Sequence, residues 1–255
     1  LKGWDNSWST SLGRYAEEGG NQVYIQDTRV FSAIPNFSVG FRQWKFFGSY
    51  FVSTNYNFGS YTDIYDFGGT TFYELVSTKA KRPEWDANVG YSFNSHVMLT
   101  LGYKEIRKDL TSFRDISYTG YYFNENPLRK QKASGPTIGM SVNGDITESG
   151  KVKIYGAGVL GSMNQTTDRA QSPVCSSTTN PYCAPLHFSE SQLYENFEAG
   201  FLFAPVRGLA LTLGYRYQVL EGNNKAQDSG STRAQFAYKS TDILRGPTLG
   251  VAYTF

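Results

Sequence analysis

The chain has 255 residues, of which 40% are hydrophobic and 16% aromatic, with a formal net charge of only +2. No apolar run approaches the ~20 residues of a membrane-spanning helix, and the charge is too balanced for a nucleic-acid binder that neutralises phosphates. With 19 Tyr and 18 Phe the chain is too rich in buriable surface for disorder, which leaves an all-β protein, either a sandwich or a barrel.

Apolar and polar residues alternate along most of the sequence, the period-two pattern of strands. A first strand is predicted over Ser7–Glu17, followed by a polar stretch, Glu18–Pro35. A hairpin turning near Trp44–Phe46 would set Phe37, Val39 and Phe41 against Tyr50, Val52 and Thr54. After a second polar stretch, Gly59–Pro83, the chain folds about Ser95. Phe93, Tyr91, Val89 and Ala87 then face Val97, Leu99, Leu101 and Tyr103, and Asp86 meets Lys104 on the opposite face. A third polar stretch covers Thr111–Ser134, and a turn at Thr147–Gly150 leads into a Gly-rich strand, Val152–Met163. The fourth, Asn164–Ser189, holds Cys175 and Cys183, read as a disulfide that closes a surface loop in an oxidising compartment. Folding about Val206 pairs Phe203, Phe201, Ala199 and Phe197 with Leu209, Leu211, Leu213 and Tyr215, and sets Glu198 diagonal to Arg216. A fifth polar stretch, Glu221–Thr241, precedes a last strand over Arg245–Phe255. The sum is a single domain over residues 1–255 with about ten strands, eight and twelve being compatible too.

The connections are short at one end of the strands and long at the other, which a sandwich does not require. The face opposite the apolar one is small or charged: Gly90, Gly102, Gly139, Gly200 and Gly214, with Arg42, Asp86, Lys104, Glu198 and Arg216. Glycine weakens a strand that faces bulk water, whereas inside a narrow barrel small residues leave room for a few long side chains. Trp44, Trp85, Phe93, Tyr215, Tyr217 and Tyr253 near strand ends fit interfacial girdles.

At the C-terminus Leu249, Val251, Tyr253 and Phe255 alternate with Thr248, Gly250, Ala252 and Thr254. This strand resembles the terminal strand of Gram-negative bacterial outer-membrane β-barrel proteins, a porin-like class that ends in Tyr-x-Phe. The resemblance implies a transmembrane antiparallel up-and-down β-barrel in the bacterial outer membrane, with short periplasmic turns, periplasmic termini and long extracellular loops. It also implies that the assembly machinery reads Tyr253 and Phe255, and that outer-membrane lipid and lipopolysaccharide surround the chain.

Four groups of residues are candidates for function. The inward charges Arg42, Asp86, Lys104, Glu198 and Arg216 either plug the interior or line a narrow path that passes ions and small solutes poorly. Arg107, Lys108, Arg114, Arg129, Lys130 and Lys132 around the third polar stretch, and Lys79, Lys81 and Arg82 at the end of the second, either contact lipopolysaccharide phosphates or form a solvated rim. Loop aromatics such as Tyr61, Tyr65, Phe72 and Tyr121 either bind a protein partner, as in an adhesin or envelope complex, or pack the loops. His187-Phe188-Ser189 has the His-x-Ser spacing of lipid A deacylases, and His187 with Asp168 and Glu190 echoes the rim chemistry of ten-stranded omptin proteases, with no matching motif around them. No nucleophile elbow, phosphate loop or metal cluster is present, so the expectation is a non-enzyme without metal or cofactor.

Overall fold

The computed structural model describes residues 1–12, 23–24, 28–52, 54–67, 70–118, 121–125, 128–169, 186–225 and 237–253. Among these every regular element is a strand: β1 (Lys2–Leu12), β2 (Val23–Tyr24), β3 (Thr28–Ile34), β4 (Asn36–Phe41), β5 (Trp44–Phe51), β6 (Asn55–Phe67), β7 (Thr70–Lys81), β8 (Glu84–Ser92), β9 (Val97–Tyr118), β10 (Tyr121–Glu125), β11 (Leu128–Asp145), β12 (Val152–Arg169), β13 (Leu186–Val206), β14 (Leu209–Lys225) and β15 (Ala237–Tyr253). All pairings are antiparallel, and the sheet runs β1-β15-β14-β13-β12-β11-β9-β8-β5-β4. β3 pairs with β1 and continues through Pro35 into β4, where Tyr50 and Val52 donate to the carbonyls of Pro35 and Ala33. The ladder that starts at β1 therefore returns to it, the arrangement that removes sheet edges.

Strand alternation decides what lies on each side. Phe37, Val39, Phe41, Leu101, Ile138, Phe201, Leu213 and Leu249 point outward, each more than half exposed. A continuous apolar face of this extent does not meet water in a stable monomer. Aromatic residues bound it: Trp44, Tyr91 and Phe93 make edge contacts at 5.0 and 5.3 Å near the short turns, and Trp85 lies 5.8 Å from Tyr103 at the other border. From Trp85 to Phe93 is about 27 Å of strand, or ~21 Å of height at a tilt of ~40°, which matches a membrane's apolar band.

The fold about Ser95 occurs in the expected register, with Tyr91 opposite Leu99 and Asp86 opposite Lys104. Two other hairpins differ. The first turns at Arg42–Gln43, so that Phe41 pairs with Trp44 and Val39 with Phe46. Its turn lacks glycine, and Arg42 itself takes the left-handed conformation (φ 55°) that such a two-residue turn demands. The second turns at Arg207–Gly208 rather than at Val206, which puts Phe203 opposite Leu211 and Glu198 directly opposite Arg216. The shift is two residues, so each side chain keeps its face.

The polar stretches are also more regular than expected. Gly59–Pro83 contains most of the β6–β7 hairpin, and Thr111–Ser134 contains the end of β9, β10 and the start of β11. β12 runs to Arg169 and β13 starts at Leu186, opposite it. Beyond the apolar band the outward face of a strand meets polar surroundings, so pairing continues while the outward apolar residues that announce it disappear. The first and last strands likewise run Lys2–Leu12 and Ala237–Tyr253.

Candidate functional site

The interior changes character along the barrel axis. Near the short turns it is lined by small residues, and Gly102, Gly200, Gly214, Thr212 and Asn88 are only half-buried there. Lys2 and Glu198 form an ion pair in this chamber, and Tyr155 donates to Glu198 at 2.8 Å. Toward the long hairpins the interior is a packed apolar core. Trp4, Trp8, Ile34, Phe51, Tyr56, Phe58, Leu110 and Leu244 form one cluster, with Ile106, Met163, Tyr194 and Leu220 in a second. The sequence reading of a uniformly small or charged inner face therefore holds for the short-turn half and not for the other.

A layer of charge is interleaved with this core, from its border with the small-residue chamber toward the long hairpins. β8 supplies Glu84 and Asp86, β9 supplies Lys104 and Lys108, β14 supplies Arg216, β15 supplies Asp242, and Arg82 precedes β8. Glu84 accepts from Arg82 Nε at 2.7 Å, Lys104 Nζ at 2.8 Å and Gln218 Nε2 at 2.9 Å. Asp242 accepts from Lys108 Nζ at 2.8 Å, from the guanidinium of Arg82 at 3.4 Å and from the Trp8 indole. Three cations also lie over aromatic faces, Arg216 at 4.6 Å from the Trp4 centroid, Arg82 at 5.2 Å from Trp8 and Lys104 at 5.4 Å from Tyr194. The side chains of Arg82, Glu84, Lys104, Lys108 and Asp242 are each no more than 5% exposed. Buried charges persist when they are paired and hydrogen-bonded. Arg82, Glu84, Lys104, Lys108 and Asp242 are ion-paired across β8, β9 and β15, and Arg216 is held by the side-chain amides of Asn196 and Gln218. Arg82 Nη2 alone among the described residues of this layer lacks a hydrogen-bond partner.

The expected residues divide as follows. Asp86, Lys104, Glu198 and Arg216 face inward; Lys104 Nζ lies 3.9 Å from Asp86, and Arg216 Nε donates to Asn196 at 2.7 Å. Arg42 does not face the interior: it sits in the exposed turn with its guanidinium 5.3 Å from the Phe41 ring centroid. Lys108 is not a rim cation either, because the even positions of β9 point inward and bring it to Asp242. Arg107, Lys130 and Lys132 are exposed, and the side chains of Arg114 and Arg129 lie outside the described part. Cys175, Cys183 and Phe255 also lie outside the described residues, whereas Tyr253 is exposed. His96 lies in its turn, with Nδ1 3.1 Å from the Asn143 carbonyl oxygen. His187 stands opposite Asp168 in the β12–β13 ladder. Among the described residues no group of His, Cys, Asp and Glu is placed to hold a metal.

Glu84, Lys2, Asp242, Trp4 and Trp8 were missed, and Arg82, expected at the rim, is instead fully buried against Glu84 and Asp242. Arg82 and Asp242 lie beside or within the polar stretches, where the pattern fades. Trp4, Asn6 and Trp8 alternate with Gly3, Asp5 and Ser7, and that period-two signal was there to be read; it is inverted, with the large residues facing in.

No protein-family model matches the chain, and no curated protein sequence matches it. Among solved structures it is similar to the outer-membrane protease OmpT of Escherichia coli, with a TM-score of 0.61 and 14% identity over 100% of this chain and 95% of that one. It also aligns with the toluene transporter TodX of Pseudomonas putida, at a TM-score of 0.34 and 9% identity, over 97% of this chain and 88% of that one. The likeness to OmpT shows a shared fold. With the exposed apolar band, it makes this chain an all-β antiparallel outer-membrane β-barrel, placed in the bacterial outer membrane.

Proposed function

We propose that the protein is a closed structural barrel whose interior passes solutes poorly and whose long hairpins make its contacts. Counting β3 with β4, β5 with β6 and β7 with β8 as single staves, and β2 and β10 as attachments, gives ten staves, a number at which side chains can still fill the interior. The observation that carries the reading is the layer of Arg82, Glu84, Lys104 and Asp242, buried across the lumen where the apolar band ends. In this reading the short turns are periplasmic and the hairpins extracellular. Liposomes containing the protein should show no swelling in arabinose or glycine; swelling at the rate of a general porin would overturn the reading.

A second reading, a rim enzyme, draws on Asp168 facing His187 across the ladder. Asp168 is exposed while its neighbour Thr167 is buried, so the acid lies on the outside of the ribbon rather than over the lumen. His187→Ala should leave lipid A mass and peptide cleavage by whole cells unchanged; loss of either activity would establish the enzyme.

A further inference from the structure

We propose that Arg107 and Lys132, held by Glu105 immediately beyond the Trp85–Tyr103 pair, bind the phosphate of a lipid headgroup on the outer wall of the barrel; the proposal rests on the membrane placement above and not on whether the lumen conducts. Both strands change character at the same height. Outward positions of β9 run Val97, Leu99, Leu101 and Tyr103, then Glu105 and Arg107, while those of β11 run Val142, Met140, Ile138 and Pro136, then Ser134 and Lys132. The charges thus begin one residue pair beyond the aromatic border, at headgroup height.

Arg107 and Lys132 are direct cross-strand partners, and like charges in that relation destabilise a ladder unless something neutralises them. One carboxylate serves both. Arg107 Nε lies 2.6 Å from Glu105 Oε1, Lys132 Nζ lies 3.1 Å from Oε2, and the Trp85 side chain also hydrogen-bonds to this group. The Glu105 side chain is 7% exposed, whereas Arg107 and Lys132 are 60% and 51% exposed. Two outward cations therefore share one sunken anion and leave an excess positive charge at the surface.

The next row shows that this excess is not a general feature of the rim. There Lys81 stands opposite Asp109, Asp109 opposite Lys130 and Lys130 opposite Asp168, so the sign alternates across four strands. In the lower row the neighbours are Thr166 on β12 and Pro83, whose carbonyl accepts from the Arg107 amide. No acid lies in that row, and a phosphate monoester supplies the missing charge. The guanidinium gives paired donors to it and the ammonium a point charge, while the acyl chains of the same lipid run down the apolar wall beside Leu101 and Ile138.

The test uses the full barrel in detergent with bisphosphorylated lipid A as probe, read by native mass spectrometry. Wild-type protein should retain the lipid, and Arg107→Ala/Lys132→Ala should retain at least tenfold less, as should wild type given dephosphorylated lipid A. Lys45→Ala/Lys153→Ala, at the other end of the barrel, should match wild type. Each variant is accepted only if it keeps its heat-modifiable gel shift; should the double variant lose it, Arg107→Gln replaces it. Equal retention by wild type and variant would overturn the proposal. So would displacement of the lipid by millimolar inorganic phosphate, which would mark a site for the free anion. Lipid retention is independent of liposome swelling, so failure here and failure of the closed-barrel reading are separately visible.

Discussion

At Glu84 the two buried cations Arg82 and Lys104 meet the same carboxylate, and Gln218 adds a neutral donor. Removing that carboxylate takes the nearest partner from two buried positive charges, which costs about 3–5 kcal/mol. Glu84→Ala should therefore lower the urea midpoint of the refolded barrel markedly, whereas Glu84→Met combined with Lys104→Met should cost less than the single change. Equal losses would show that the layer acts through packing alone. Asp86 facing Lys104 was legible because the hairpin about Ser95 sets the register on both faces at once. Glu84 was not, because it lies next to Pro83, where the apolar alternation that locates a strand gives way to a polar stretch. Lys108 was legible as a cation but not as a buried one, since only strand parity, carried past Tyr103, distinguishes it from Arg107.

Individual strands are constrained most where an inward glycine lies against the backbone of the neighbouring strand. A side chain at Gly200 would place its Cβ 2.2 Å from the Leu213 carbonyl oxygen and 2.5 Å from the Gly214 Cα, both on the neighbouring strand. Gly40, at the exposed hairpin of β4 and β5, would meet nothing closer than 3.9 Å. Overpacking of this kind costs about 1–3 kcal/mol or more, so Gly200→Val should reduce the folded fraction on gels and Gly40→Ala should not. The hairpins beyond the membrane obey a different rule. Replacing residues 61–76 by a short turn should preserve the heat-modifiable shift, because Tyr56, Phe58, Ala80 and Arg82 stay in place beneath the cut. A deletion that runs on to Pro83 removes Arg82 and should not fold. That boundary was invisible in the sequence, since aromatic residues punctuate polar ones on both sides of it.

For the molecule as a whole, the low mean hydropathy and the high aromatic content describe two different surfaces. The hydropathy of −0.42 averages over an interior with a buried charge layer and over polar hairpins that extend well past the membrane. The aromatic 16% is divided between the outer borders, at Trp44, Tyr91, Trp85 and Tyr103, and an interior core around Trp4, Trp8, Tyr56 and Phe58. The outer share was legible from strand-end positions. The inner share was not, because one barrel strand looks the same in sequence whether its larger residues face lipid or lumen. Loss of the inner aromatics should weaken the closed half specifically: Trp8→Ala should cost about 3–5 kcal/mol, read as a lower unfolding midpoint. The most direct test of the closed barrel is single-channel recording in planar bilayers, comparing wild type with Arg82→Ala/Lys104→Ala. The account predicts a silent wild type and discrete openings in the double variant, whose missing side chains unblock the charge layer. Stable wild-type openings, unchanged by the double substitution, would contradict it.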